Sequence, residues 1–302
     1  MKNIIALLLF VLSSSLYASD IKVKIEQSKS AGQFGYGIGS DVTIESPYKE
    51  INGPSIFLGK SIFPDGSDSD QMYLNKKSKI IYYIESNRIN KTARLQTVLS
   101  PYEQAGGTCT GYAMYDFLQQ LQLSGFVGTG ELDKSLIDER ARTSLLVDNI
   151  NEYYLTPKHN YSIQNILKKY GKTFGFTCKQ FHTEDYQLMK EKMLAHLQTG
   201  IPLIIEFYTG EDMVNSPFTL QRYRQSKKVQ LPIDERLWIP RKKGEKKSDG
   251  HSIVIAGSFE VEGKTYLVVI DSDWVEPRVW DMDAFLNDKK TALDEVIVTT
   301  CQ

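Results

Sequence analysis

Cysteine is scarce in this chain, with three in 302 residues, at 109, 178 and 301. So few exclude a disulfide-dense scaffold, and the length is ample for a hydrophobic core instead. Charge of one sign is missing as well. Lys and Arg number 36 against 37 Asp and Glu, so no global field favours nucleic acid or a membrane surface. There is no internal repeat and no long low-complexity tract, which sets aside solenoids and disordered linkers. Histidine is nearly as rare, with four residues at 159, 182, 196 and 251. Chemistry that needs an imidazole has few candidates.

Long apolar runs are limited to the beginning. Lys2, the apolar stretch Ile4 to Leu12 and the small-residue finish "SSSLYA" predict a secretory signal peptide over residues 1–18. That run falls short of the roughly 20 residues a helix needs to span a bilayer. No second segment of spanning length follows, and no cysteine follows the expected cut to carry a lipid. The expected location is therefore secreted or periplasmic.

An odd cysteine count in an exported protein points to one disulfide and one free thiol. Cys178 in "FGFTCKQF" and Cys301 in "EVIVTTCQ" both sit in strand-like runs. They form one candidate pair, the alternative being three reduced and buried thiols.

Residues 19–95 carry turn clusters ("SAGQFGYGIGSD", "FPDGSDSD") between short alternating segments such as "DVTIES" and "KIIYYIES". They read as a β-rich appendage, either a removable pro-segment or part of a sheet. Residues 96–302 read as the main domain. Its first part is helical, with an amphipathic run from Thr110 to a stop at Ser124-Gly125 and a polar helical region over about 131–154. "YSIQNILKKYG" starts at Ser162 and stops at Gly171. "HTEDYQLMKEKMLAHLQTG" has Thr183 as N-cap and Gly200 as terminator. After Gly200 come β-rich runs: "IPLIIEFY", "HSIVIAGSF", "KTYLVVID", "RVWDM" and "DEVIVTT". Helices first and strands second predict an α+β fold, a helical half facing an antiparallel sheet half. The basic stretch 222–247 interrupts the strands as a surface loop. It is either a solvated connector or a rim for polyanions or the cell envelope.

Within "EQAGGTCTGYAMYDFLQQLQLSG" (residues 103–125) Cys109 has turn chemistry before it and a helical pattern after it. The first N–H groups of a helix are unpaired and carry positive partial charge, an environment that favours thiolates as nucleophiles. Gly106 and Gly107 permit close backbone approach to a substrate carbonyl. The Cys109 N–H and an amide side chain, with Gln104 as candidate, would stabilise an oxyanion. Of the histidines, His251 begins an alternating strand that would hold an imidazole at a sheet edge, as a base or as a structural residue. A "VEGK" turn (261–264) joins that strand to one ending at Asp271, placing a carboxylate where it could orient the ring. Asp273 competes for that role.

"LSPYEQAGGTCTGYA" resembles the cysteine motif of papain-like cysteine proteases, and "GHSIVIAGSFEVEGKTYLVVIDSDW" is similar to their histidine strand, hairpin and strand-ending Asn or Asp before tryptophan. "MLAHLQTGIPLIIEFYTGEDM" is similar to the segment between them. The resemblance covers roughly residues 97–300 and implies a papain-like fold and peptide-bond hydrolysis through a thioester. Cys109 would be the nucleophile, His251 the base, Asp271 the orienter and Gln104 the oxyanion donor. It implies a peptide or protein substrate and neither metal nor organic cofactor. Gln104 precedes Cys109 by five residues, one fewer than that family uses. "GTCTGYAMYDFLQQLQLSG" also resembles transglutaminase-like acyltransferases, and a papain-type fold without its oxyanion hole would be a binding module.

Overall fold

The computed structural model describes residues 21–32, 34–62, 69–86, 94–101, 109–125, 163–224, 227–230, 236–246, 249–274, 276–286 and 289–302. The expected signal peptide and the 131–154 helical region lie outside the described residues. The chain opens with β1 (Lys22–Gln27), β2 (Asp41–Glu45), β3 (Gly53–Ile62), β4 (Ser69–Asn75), β5 (Ile80–Glu85) and β6 (Thr97–Leu99). Helix α1 (Cys109–Leu123), α2 (Ile163–Phe174), β7 (Cys178–Phe181) and α3 (Tyr186–Leu197) follow. The rest is β8 (Leu203–Asn215), β9 (Thr219–Arg224), β10 (Lys227–Gln230), β11 (Arg236–Pro240), β12 (Gly250–Val261), β13 (Lys264–Ile270), β14 (Arg278–Asp281), α4 (Met282–Leu286) and β15 (Ile297–Cys301).

The expected α+β division into a helical half and a sheet half is wrong. Of the described residues 48% are strand and 21% helix, in two sheets with four α-helices. One sheet runs β1-β2-β3-β4-β5-β9-β10, with β6 parallel to β3. The other runs β14-β13-β12-β8-β15-β7, with β11 on β8. The physical reason is pairing across the sequence. The alternating segments of 19–95 do not hang from the main domain; β5 pairs in parallel with β9, Ile80 opposite Thr219. The basic stretch 222–247 likewise holds β10, β11 and the end of β9 rather than one loop. Local patterning showed strands there but not which partners they would find.

Three apolar layers hold the sheets. Tyr36, Phe57, Tyr73 and Tyr82 pack on the outer face of the first sheet. Met189, Met193 and Trp280 back the second sheet from α3 and β14. Between the sheets lies a core shared by Leu58, Met72 and Tyr83, by Phe117, Leu118 and Leu121 of α1, and by Ile204, Val254 and Val268. Helix α1 is thus buried on nearly every side, as helices are when they run through a core. Its polar Gln120 is satisfied there: Leu99 N donates to its Oε1 (2.9 Å) and its Nε2 donates to Thr97 O (2.7 Å).

The helix ends refine the expected boundaries. Gly171 does not stop α2. A Cβ at that position would meet Phe176 O at 2.3 Å, so the glycine admits the returning chain, and the helix ends at Phe174. The α3 N-cap is Asp185, which accepts from Leu188 N, while Thr183 accepts from Asp185 N one turn-step earlier. Gly200 closes α3 with φ +80, and its absent Cβ leaves room for the Ala31 carbonyl. The N-terminal segment therefore docks on the α3–β8 turn. Among the described residues no helix is long and apolar enough to cross a membrane.

Candidate active site

Cys109 is the first residue of α1 and is 7% exposed. The position follows from packing: Ala113, Met114 and Phe117 sink α1 into the central core, which carries its first turn onto the start of β12. The Cys109 thiol donates to Gly250 O at 3.4 Å. Thr110, one residue on, has its Oγ1 3.2 Å from Ser252 Oγ.

His251 stands next to Gly250 and is 5% exposed. Strand β12 is interior, between β13 and β8, so the imidazole sits at a strand end and not at a sheet edge as the alternation implied. The edge of its ring meets Phe207 on β8, with centroids 5.6 Å apart and planes at 85°. The hairpin to β13 closes through Glu262 and Gly263, both with positive φ, which matches the strand twist in a two-residue loop. That register brings Asp271, fully buried, beside the ring. His251 Nε2 lies 3.1 and 3.2 Å from the two Asp271 carboxylate oxygens.

A carboxylate only accepts, so Nε2 carries the proton toward Asp271 and Nδ1 is the ring nitrogen left for a thiol. Burial works against a charged ring. The Asp271 charge and hydrogen bond, followed by the Cys109 hydrogen bond and charge, outweigh it and hold the imidazolium well above the ordinary histidine range.

The two aspartates occupy different places. Asp273 Oδ2 is 3.9 Å from His251 Nε2 and accepts from Trp238 Nε1 at 2.9 Å. Its backbone N–H donates to Asp271 Oδ1 at 3.0 Å. Asp271 grips the ring, and Asp273 with Trp238 buttresses Asp271. Among the described residues, His251, Asp271 and Asp273 have ligand atoms within 4.8 Å of one another and form a group that could hold a metal ion. A metal on Nε2 would have to replace the proton shared with Asp271.

Of the other sites expected from sequence, Gln104 and His159 lie outside the described residues. His196 is structural, its Nε2 3.1 Å from Pro202 O, and its pKa is lowered by burial against that bond. His182 is exposed. Cys178 and Cys301 are joined in a disulfide across the β7–β15 register pair, leaving Cys109 the free thiol.

Sequence reasoning missed Trp238, which stands inside the basic stretch as the centre of "RLWIP". The alternation of that pentapeptide marks a strand, and only the pairing of β11 with β8 reveals its reach to Asp273. It also missed Glu206, flanked by Gln180 and Thr299. No family model and no curated protein sequence matches the chain.

Proposed function

We propose that the chain is an exported cysteine peptidase of papain-like chemistry that hydrolyses peptide bonds through a Cys109 thioester. The observation that carries this reading is a free thiol against the Gly250 carbonyl, next in sequence to an imidazole held by a buried carboxylate. In the first step Sγ attacks the scissile carbonyl carbon, with the thiol proton resting on His251 Nδ1. The oxygen takes the negative charge toward the Cys109 N–H, with Gln104 as the second donor. The C–N bond then breaks, and His251 returns its proton to the leaving amine. Water attacks the thioester while His251 takes its proton, and the C–S bond breaks to release the acid. Asp271 keeps the proton on Nε2 and stabilises the imidazolium throughout.

The Cys178–Cys301 disulfide supports an oxidising compartment. The test uses the full chain and a quenched-fluorescence peptide library. Cys109→Ala and His251→Ala should each reduce hydrolysis by at least about 10³-fold, and the double variant no further, because members of one catalytic unit are not additive. A folded Cys109→Ala protein with full activity would overturn the assignment. Product mass spectra identify the resolving nucleophile: free acid supports hydrolysis, while an amide formed from added amine supports acyl transfer instead.

A further inference from the structure

Strand alternation sorts the residues of β8 onto two faces. Leu203, Ile205 and Phe207 face α3, and Ile204 faces α1. Glu206 continues the Ile204 row toward the site, beside Ser252 on β12 and Ile297 on β15. Cross-strand neighbours have Cβ atoms about 5 Å apart, and Ser252 touches Thr110 in the first turn of α1. A half-buried carboxylate therefore borders the cysteine end of the helix. Its Oε2 accepts from Gln180 Nε2 at 3.3 Å, and Gln180 also reaches Thr299 Oγ1 at 3.2 Å. These neutral groups aim the carboxyl without neutralising it. Burial pushes it up to about 7, and no cation among the described residues brings it down again. A partly exposed carboxylate without a counter-charge among the described residues is matched by one that arrives with a ligand.

We propose that Glu206, aimed by Gln180 and Thr299, is the specificity-determining residue of this site and receives the cationic end of a lysine or arginine side chain of the peptide substrate. The proposal rests on the cysteine-peptidase reading for the reaction, while the pull on a cation near Cys109 does not depend on it. Strand β8 also carries the exposed Tyr208 opposite Gly250, whose carbonyl the Cys109 thiol meets, so the row runs from solvent to the carboxylate at the thiol's end of β12.

The experiment has two arms at pH 8 on the full-length protein and on Glu206→Gln, which preserves shape and removes the charge. In the first, peptides that differ only in Lys or Arg against Gln or norleucine are compared by kcat/KM at each position around the cleaved bond. One position should favour the cation by about tenfold in the parent protein, and the preference should vanish in Glu206→Gln. In the second, Cys109 is labelled with 2-aminoethyl methanethiosulfonate and with neutral methyl methanethiosulfonate, followed by mass spectrometry. The cationic-to-neutral rate ratio should be about fivefold higher in the parent than in Glu206→Gln. Equal ratios in the two proteins, or a cation preference that survives Glu206→Gln, overturns the proposal. Absence of any peptide hydrolysis would remove the peptidase reading, and the labelling ratio would still decide the role of Glu206.

Discussion

At the scale of single residues the two carboxylates flanking His251 make separable predictions. Asp271 holds the charged ring at hydrogen-bond distance, whereas Asp273 stands further off and is engaged by Trp238. The raised histidine pKa gives stability that is complete below the unfolded value of about 6.5 and lost as pH rises through the folded one. Asp271→Asn should therefore lower melting temperature most at or below neutral pH. It should also move the alkaline limb of the activity profile acidward by about one unit or more. Asp273→Asn should move that limb much less, and the reverse ranking would transfer the orienting role to Asp273. Glu206 has a linkage of the same sign, set by burial instead of by a partner. Its pKa is raised to about 7 by burial, so the folded state holds an extra proton between the unfolded value and 7. Stability should fall as pH rises through that window, and Glu206→Gln should flatten the slope in a pH series of thermal melts. A slope unchanged in the variant would show that another group sets it.

At the scale of elements the prediction concerns residues 19–95. Leu58, Met72, Leu74 and Tyr83 from this segment cover α1. Gln96 accepts from Ile38 N (2.9 Å) and donates to Ala256 O (3.1 Å), tying the same segment to β12. Losing that cover would remove on the order of 10 kcal/mol of apolar burial, comparable to the whole stability of a domain. A chain beginning at Thr97 should be insoluble or inactive by sedimentation and peptide assay. A soluble and more active product would instead identify a pro-segment. The elements themselves were largely legible: α3 ends at its glycine stop, although its cap is Asp185 and not Thr183, and "HSIVIAGSF" and "KTYLVVID" lie on β12 and β13. What periodicity does not contain is the partner of a strand. β5 alternates as any strand would, and nothing in "KIIYYIES" names β9, which lies far along the chain. The same blindness hid Trp238, which lies in a basic stretch of sequence and meets Asp273 in space. Cys109, His251 and Asp271 were legible because each stands at the end of an element, where side-chain type and turn chemistry coincide.

At the scale of the whole molecule, the fold divides the site between a hairpin and a helix. His251 and Asp271 belong to one hairpin, whose two-residue turn makes their contact a local one. Cys109 belongs to a helix that neither sheet can bury alone, since its core is walled by both. The thiol reaches its place only where distant parts of the chain close around α1, whereas the histidine–aspartate pair is held within the hairpin. A thiol seated between two sheets makes its meeting with the imidazole a report on completed assembly, since neither wall alone holds α1 in place.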